Sequence, residues 1–126
     1  MSGPPDIVLA SASSRRRRLL EDAGVPFEVV PADVDEGQLP GETPVELAVR
    51  VAGAKGLDVA ARLAAAGRRP VLVAADTIVV LDSEVLTKPR DPRHAREMLG
   101  RLAGRTHTVV TGYAVGRHEG RWIARH

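Results

Sequence analysis

Hydrophobic and polar positions follow two different periods along the chain, and the two periods alternate. Apolar and largely β-branched stretches, bounded by turn-forming residues, predict strands. The predicted strands are 7–10, 27–30, 71–81, 84–86, 106–115 and 121–124. Between them lie three segments in which apolar residues recur at helical spacing. Strands that alternate with helices in this way predict the α/β class.

The second helical segment has the clearest start signal. Thr43 suits the N-cap, Pro44 then stands at the first helical position, and Glu46 completes a capping box. We expect this helix to continue to residue 66 and to end at Gly67, because glycine readily stops a helix.

The first helical segment, at 15–23, follows a short strand and carries an apolar face. Leu19, Leu20 and Ala23 share that face, and Gly24 supplies the stop signal. Such a stripe is typical of a helix packed on a core, so we expect it to be buried.

The third helical segment, near the end of the chain, has the same kinds of start and stop signals. Asp91 and Pro92 give an N-cap followed by proline, and Gly104 ends the segment. Its apolar stripe consists of Ala95, Met98, Leu99 and Leu102.

Composition narrows the functional classes. The chain has 126 residues, 44% of them apolar, which suits one domain with a modest core. It has no cysteine, which excludes a disulfide scaffold and thiolate metal sites. No apolar run approaches membrane-spanning length, and no signal peptide is recognisable. We therefore expect a cytoplasmic protein without a membrane partner.

Charge and aromatic content argue against a nucleic-acid partner. The net charge is only +2, and the aromatic residues are Phe27, Tyr113 and Trp122. Single-stranded nucleic acids are bound largely by stacking on aromatic side chains, which are scarce in this chain. A nucleic-acid partner is therefore not expected.

Four consecutive arginines, at 15–18, stand where the first helix begins. A helix N-terminus carries partial positive charge, so cations there are unfavourable unless an anion joins them. A phosphate is the simplest such anion. Helix geometry places Arg16 on the stripe that faces a cleft at the end of the preceding strand, whereas Arg17 and Arg18 turn toward solvent. A solvated basic run, with Arg16 lying over the edge of the core, is the alternative.

Asp76 interrupts the most apolar stretch of the chain, at 71–81. An ionised carboxylate is costly to bury without partners. It suits a metal ligand or a general base. A carboxylate that caps backbone N–H groups at the end of a strand is the alternative.

Further candidates lie on predicted loops and at helix positions. Asp33, Asp35 and Glu36 form an acidic loop, which suits a hard divalent cation or simple solvation. Lys55 and Lys88 are the only lysines among eighteen cationic residues. Each lysine is either a ligand for an anion or an ordinary surface charge.

Taken together, six ordered segments resemble the Maf family of nucleoside triphosphate pyrophosphatases. They are LASASSRR at 9–16, DVDE at 33–36, ELAVRVAGAK at 46–55, AADTIVVLD at 74–82, KPRD at 88–91 and AGRTHTVVTG at 103–112. One departure is Ser14, where the family usually has proline. The resemblance implies a mixed twisted sheet with flanking helices and a nucleotide cleft, as in the Maf and ITPase folds.

The resemblance also implies an activity, which is hydrolysis of a nucleoside triphosphate to the monophosphate and pyrophosphate with Mg²⁺ or Mn²⁺. The ADT segment and the paired arginines resemble the branch that acts on dTTP and UTP, rather than on 7-methyl-GTP. A nucleoside triphosphate is then the expected partner, and a homodimer stays open.

Residue roles follow from the same resemblance. Ser11, Arg16, Lys55 and Lys88 would hold the triphosphate. Asp76 would be the general base or a metal ligand, and Glu36 would help to bind the metal. Asp76, Lys88 and Glu36 therefore form the expected catalytic set. Arg15 and Thr77 match positions tied to the choice of base.

The chain differs from the family pattern in length. Family members normally continue well beyond position 126, into a segment with the pattern DKAGxY and a glutamine of the substrate site. We therefore expect residues 1–126 to form a single Maf-like domain that is C-terminally truncated, and the isolated chain to be weakly active or inactive. A catalytically impaired nucleotide-binding or regulatory protein is the alternative function.

Overall fold

The computed structural model describes residues 5–86 and 89–126 and contains strands and helices in alternation. The elements are β1 (Ile7–Leu9), α1 (Ser14–Asp22), β2 (Glu28–Val29), α2 (Pro44–Ala65), β3 (Val71–Leu81), β4 (Glu84–Leu86), α3 (Pro92–Leu102), β5 (Thr108–Gly116) and β6 (Trp122–Arg125). Each predicted element is present, with ends close to those predicted. The α/β class is confirmed.

The strands form one mixed sheet, in the order β2-β1-β3-β5-β6, with β4 paired to β3. β1 is parallel to both β2 and β3, whereas β3 is antiparallel to β5. The β3–β5 ladder is the longest and runs from Leu72 opposite Gly116 to Val80 opposite Thr108. β6 adds to β5 as an edge strand. The β3–β5 ladder fixes which side chains of these two strands face each other.

The predicted capping box begins α2. The Thr43 side chain accepts a hydrogen bond from the Glu46 backbone N–H at 3.1 Å, and a Glu46 carboxylate oxygen accepts one from the Thr43 N–H at 3.1 Å. Pro44 occupies the first turn, and Gly67 follows the helix with φ of +80°. None of the helices within the described ranges is long and apolar enough to cross a bilayer.

The core lies between α2 and the face of the sheet that this helix covers. One buried cluster joins β1, α2 and β3 and consists of Val8, Ala10, Val59, Ala60, Leu72 and Ala74. A second cluster lies nearer the start of α2 and consists of Leu47, Ala48, Val51 and Ile78. Aliphatic side chains make up both clusters, as the scarcity of aromatic residues requires.

Glycines let α2 lie directly on the sheet. A Cβ atom at Gly112 would stand 2.4 Å from the backbone carbon and oxygen of Ala48, closer than any real contact. At Gly56, a Cβ atom would meet the Trp122 ring at 2.7 Å. Gly112 pairs with Asp76 in the ladder, so the close approach occurs beside the buried carboxylate.

The expected burial of the first helix is wrong. No residue of α1 is buried, and Leu19 is 63% exposed. α3 likewise has no buried residue, and Leu99 is 66% exposed. The apolar periods predict helices correctly at both places. In the described part of the chain, however, the buried core forms between α2 and the sheet, and both stripes lie outside it.

Replacement of Gly112 by alanine tests the close approach of α2. The added methyl group must push Ala48 away, so Gly112→Ala should lower the free energy of unfolding by about 1–3 kcal/mol. Gly53→Ala is the matched control, because a Cβ atom there meets nothing within 4 Å. This control should be neutral or more stable by up to about 1 kcal/mol, since alanine favours helices. Urea unfolding measures both, and equal stabilities would contradict the close contact.

Candidate active site

A cleft of about 390 Å³ opens where the loop before α2 meets the sheet. Its lining combines carboxylates, a hydroxyl group and aliphatic side chains. The lining includes Glu36, Gln38, Leu47, Asp76, Thr77 and Val85. Three of the predicted site residues therefore share one cavity, although they come from distant parts of the sequence.

Asp76 lies in the middle of β3 rather than at its end. Its ladder partner is Gly112, and only 6% of the residue is exposed. Its carboxylate meets the side chain of Lys55. The alternative in which Asp76 caps a strand end is therefore wrong.

Lys55 on α2 connects two carboxylates. Its Nζ atom lies 2.9 Å from Glu36 Oε1 and 3.3 Å from Asp76 Oδ1. It also donates to the carbonyl oxygen of Ala75 at 3.4 Å. Because Lys55 is largely buried, the ammonium group is a fixed charge between a loop and a strand. The surface-charge alternative for Lys55 is thereby excluded.

The pKa of Asp76 is raised above its ordinary value. Burial is the main cause, because it disfavours the charged carboxylate. Lys55 opposes this effect, whereas the negative charge of Glu36 and a hydrogen bond between the two carboxyl groups raise the pKa of Asp76 further. A carboxylate in this setting is more basic than one in water, so it accepts a proton more readily.

The loop that carries Glu36 is held by Arg50 of α2. Arg50 Nε donates to Glu42 Oε2 at 2.6 Å, and Arg50 Nη2 donates to Glu42 Oε1 at 3.1 Å and to the Gly37 carbonyl at 2.7 Å. Such a two-pronged contact fixes geometry as well as charge. The sequence reasoning missed Arg50, although it lies in the 46–55 segment that carries Lys55.

Arg16, at the start of α1, contacts Thr77, which lines the cleft. Ser13 caps this helix by accepting from the Arg16 backbone N–H at 3.3 Å, and Ser11 Oγ accepts from the Ser13 N–H at 3.0 Å. The Arg16 guanidinium donates to Thr77 Oγ1 at 2.5 Å. Burial lowers the pKa of Arg16, as does the positive charge of Arg15, while Asp76 opposes both.

The remaining arginines of the run have other surroundings. Arg15 and Arg18 are exposed, and Arg17 forms a salt bridge of 3.1 Å with Glu21 one helical turn away. The prediction that Arg17 and Arg18 face solvent is confirmed. Arg16 is half-buried and contacts Thr77, a residue that lines the cleft, so its predicted place in a binding site stays a prediction.

The residues of the acidic loop also have different surroundings. Glu36 meets Lys55, whereas Asp35 accepts a hydrogen bond from the Gly37 N–H at 2.8 Å. Asp33 is exposed, and its backbone N–H donates to Asp58 at 3.0 Å. Lys88 falls outside the described residues, so its predicted role stays a prediction.

Two carboxylates face the cleft as candidate metal ligands, Glu36 and Asp76. Among the described residues, no cluster of three or more histidine, cysteine, aspartate or glutamate side chains has metal-binding geometry. Mg²⁺ commonly takes one or two carboxylates and completes its shell with phosphate oxygens and water. This donor set therefore fits a hard divalent cation that binds together with a phosphorylated ligand.

Asp76→Asn should change the pH dependence of stability. In the unfolded chain the carboxyl group titrates near 3.8, whereas in the folded protein its pKa is raised. The unfolded state therefore releases its proton first, and the wild-type protein loses stability as pH rises between the two pKa values. As pH rises across this window, the stability of the variant relative to wild type should increase. Above the window this difference should stay constant.

Urea unfolding at a series of pH values, without divalent cations, measures this difference. Asp22→Asn, at an exposed position on α1, is the matched control for the loss of one carboxylate. A difference for Asp76→Asn that is flat with pH would contradict the raised pKa.

Two curated proteins are similar to this chain over most of its length. The chain is 51% identical to a dTTP/UTP pyrophosphatase of Geotalea uraniireducens, over 91% of this chain and 57% of that protein. It is 50% identical to a dTTP/UTP pyrophosphatase of Syntrophotalea carbinolica, over 86% of this chain and 49% of that protein. The chain thus spans about half the length of the curated relatives it matches.

A solved structure and a family model complete the comparison. A nucleoside-triphosphatase, or dITP/XTP pyrophosphatase, of Mycobacterium abscessus is a distant likeness at 18% identity, with a TM-score of 0.42 over 94% of this chain and 68% of that chain. The family model described as Maf-like protein matches residues 6–125. Because that match spans nearly the whole chain, the chain belongs to the Maf family.

Proposed function

We propose that the protein hydrolyses dTTP or UTP to the nucleoside monophosphate and pyrophosphate. The observation that carries the proposal is the Lys55 ammonium group held between the Asp76 and Glu36 carboxylates in the cleft, with Arg16 approaching from α1. The relatives named dTTP/UTP pyrophosphatase support the choice of substrates.

The cations that contact the residues lining the cleft suit a triphosphate. A nucleoside triphosphate carries about four negative charges, and its transfer chemistry relies on positioning and charge stabilisation. Arg16 and Lys55 supply two cations that are fixed by folded elements. We assign both to the triphosphate, together with Ser11 at the turn into α1 and with Lys88.

We propose that Glu36 and Asp76 hold a divalent cation, Mg²⁺ or Mn²⁺, when the nucleotide binds. Such a cation would offset the phosphate charge and favour ionisation of a bound water. The carboxylates come from a loop and a strand, so the Arg50 contacts that anchor the loop also set their separation.

Asp76 is our candidate for the group that orients the attacking water and accepts its proton. Its raised pKa suits this role, because a more basic carboxylate removes a proton more effectively. Lys55, which touches the same carboxylate, favours its ionised form and fixes its orientation.

Two further residues are assigned to the nucleoside end of the ligand. Arg15 is exposed beside Arg16, and Thr77 borders the cleft, so we propose that both lie toward the base and sugar. We also propose a cytoplasmic location, because nucleoside triphosphates are concentrated there.

Loss of the Asp76 carboxylate tests the proposal. With full-length protein and Mg²⁺ or Mn²⁺, pyrophosphate release from a panel of nucleoside triphosphates should be fastest for dTTP and UTP. Asp76→Asn should reduce kcat by at least about a hundredfold, because a positioned proton acceptor is lost. Asp22→Asn should behave as wild type. Undiminished turnover by Asp76→Asn would contradict the role of this carboxylate.

Replacement of single arginines tests the phosphate site. Arg16→Gln should raise KM for dTTP by about tenfold to a hundredfold, because a charge-assisted contact is lost. Arg18→Gln is the matched control from the same run and should change KM by less than about twofold, since an exposed charge contributes little. Steady-state kinetics give both values. Equal effects of the two replacements would indicate general charge attraction instead of a fixed site.

A further inference from the structure

Two threonine hydroxyl groups connect the Arg16 guanidinium to β5. Thr77 Oγ1 accepts from Arg16 Nη2 at 2.5 Å and lies 3.0 Å from Thr111 Oγ1. Thr77 and Thr111 are directly opposed in the β3–β5 ladder. A continuous polar contact therefore joins the start of α1 to two strands of the sheet.

This contact matters because apolar packing of α1 is limited to partly buried side chains. The helix has no buried residue. Among the described residues, the Arg16–Thr77 hydrogen bond is the side-chain hydrogen bond that links α1 to the sheet. The position of the Arg16 guanidinium thus depends on the hydroxyl that receives it.

The hydroxyl is a neutral acceptor. Within the part of the chain that the structure describes, Arg16 forms no salt bridge with a carboxylate, although Asp76 acts on it at longer range. A carboxylate at position 77 would hold Arg16 but also neutralise it. A threonine holds the guanidinium with its charge intact, and most of the five N–H donors of arginine stay available for an anion.

We propose that Thr111 is a positioning residue for Arg16 and acts through Thr77. A hydroxyl group has one hydrogen and two lone pairs. When Thr77 donates its hydrogen to Thr111, both of its lone pairs are free to accept from Arg16. Without the Thr111 oxygen, the Thr77 hydroxyl loses this partner and can rotate, so the guanidinium is held less firmly.

The role of Thr111 rests on the proposed function, because it takes Arg16 as a phosphate ligand. Variants of Thr111 can also distinguish an effect on phosphate binding from an effect on the choice of base, which the family resemblance leaves combined. If Thr111 acts only by holding Arg16, its loss weakens the binding of every nucleotide to the same degree. If it acts on the base, which Thr77 is proposed to face, its loss changes the ratio between nucleotides.

Three variants of full-length protein test the proposal. Thr111→Val removes the hydroxyl but suits a strand, and Thr111→Ser keeps the hydroxyl. Thr108→Val is the control, at an exposed position on the same strand. The measurements are the Kd of inorganic pyrophosphate by calorimetry and the kcat and KM for dTTP, UTP and dCTP. Thermal melting identifies any variant that fails to fold, in which case Thr111→Ala replaces it.

Thr111→Val should raise the Kd of pyrophosphate and the KM of all three nucleotides by a common factor of about three to ten, as expected for one lost hydrogen bond. The kcat should change much less, and Thr111→Ser and Thr108→Val should match wild type. In an Arg16→Gln background, Thr111→Val should add nothing further.

Three results would overturn the role of Thr111: unchanged pyrophosphate binding in Thr111→Val, an effect that persists without Arg16, or an effect that differs among the bases. Failure of the proposed function looks different. In that case the wild-type protein would hydrolyse none of the nucleotides, while pyrophosphate binding would still report on Thr111.

Discussion

The contact between Lys55 and Asp76 is the interaction on which the rest of the site depends. A buried carboxylate in an apolar strand is costly unless a cation accompanies it. Lys55 supplies that cation from the helix that forms the core, and the same ammonium group reaches Glu36 on the loop. One lysine thus ties the helix, the sheet and the loop together at the point where the cleft opens.

This contact requires α2 to lie very close to the sheet. Gly112 stands opposite Asp76 and lets the helix backbone at Ala48 approach the strand. Asp76 is then shielded from water, which raises its pKa, while the charge of Lys55 opposes that rise. The ionised carboxylate lowers the stability of the folded state, while its basicity suits proton transfer.

Local signals in the sequence predicted the elements well, since caps and periodicity act within a few residues. The Thr43–Glu46 capping box is an example. The burial of α1 was predicted wrongly, because an amphipathic period reveals a stripe but not what packs on it.

Asp76, Glu36 and Lys55 were found as chemical anomalies and through the family resemblance. Thr111 and Arg50 were not found, because each meets its partner through a tertiary pairing. Thr111 faces Thr77 through the β3–β5 register, and Arg50 reaches back to the loop at Gly37.

We propose that the triphosphate binds between the start of α1 and the middle of β3. Backbone NMR of full-length protein, titrated with a non-hydrolysable α,β-methylene analogue of dTTP and Mg²⁺, tests this placement because it locates binding without turnover. We expect saturable shifts at Ser11, Arg16, Lys55 and Asp76. Shifts confined to the basic residues at the opposite end of the sheet, Arg68, Arg69 and Arg117, would contradict it.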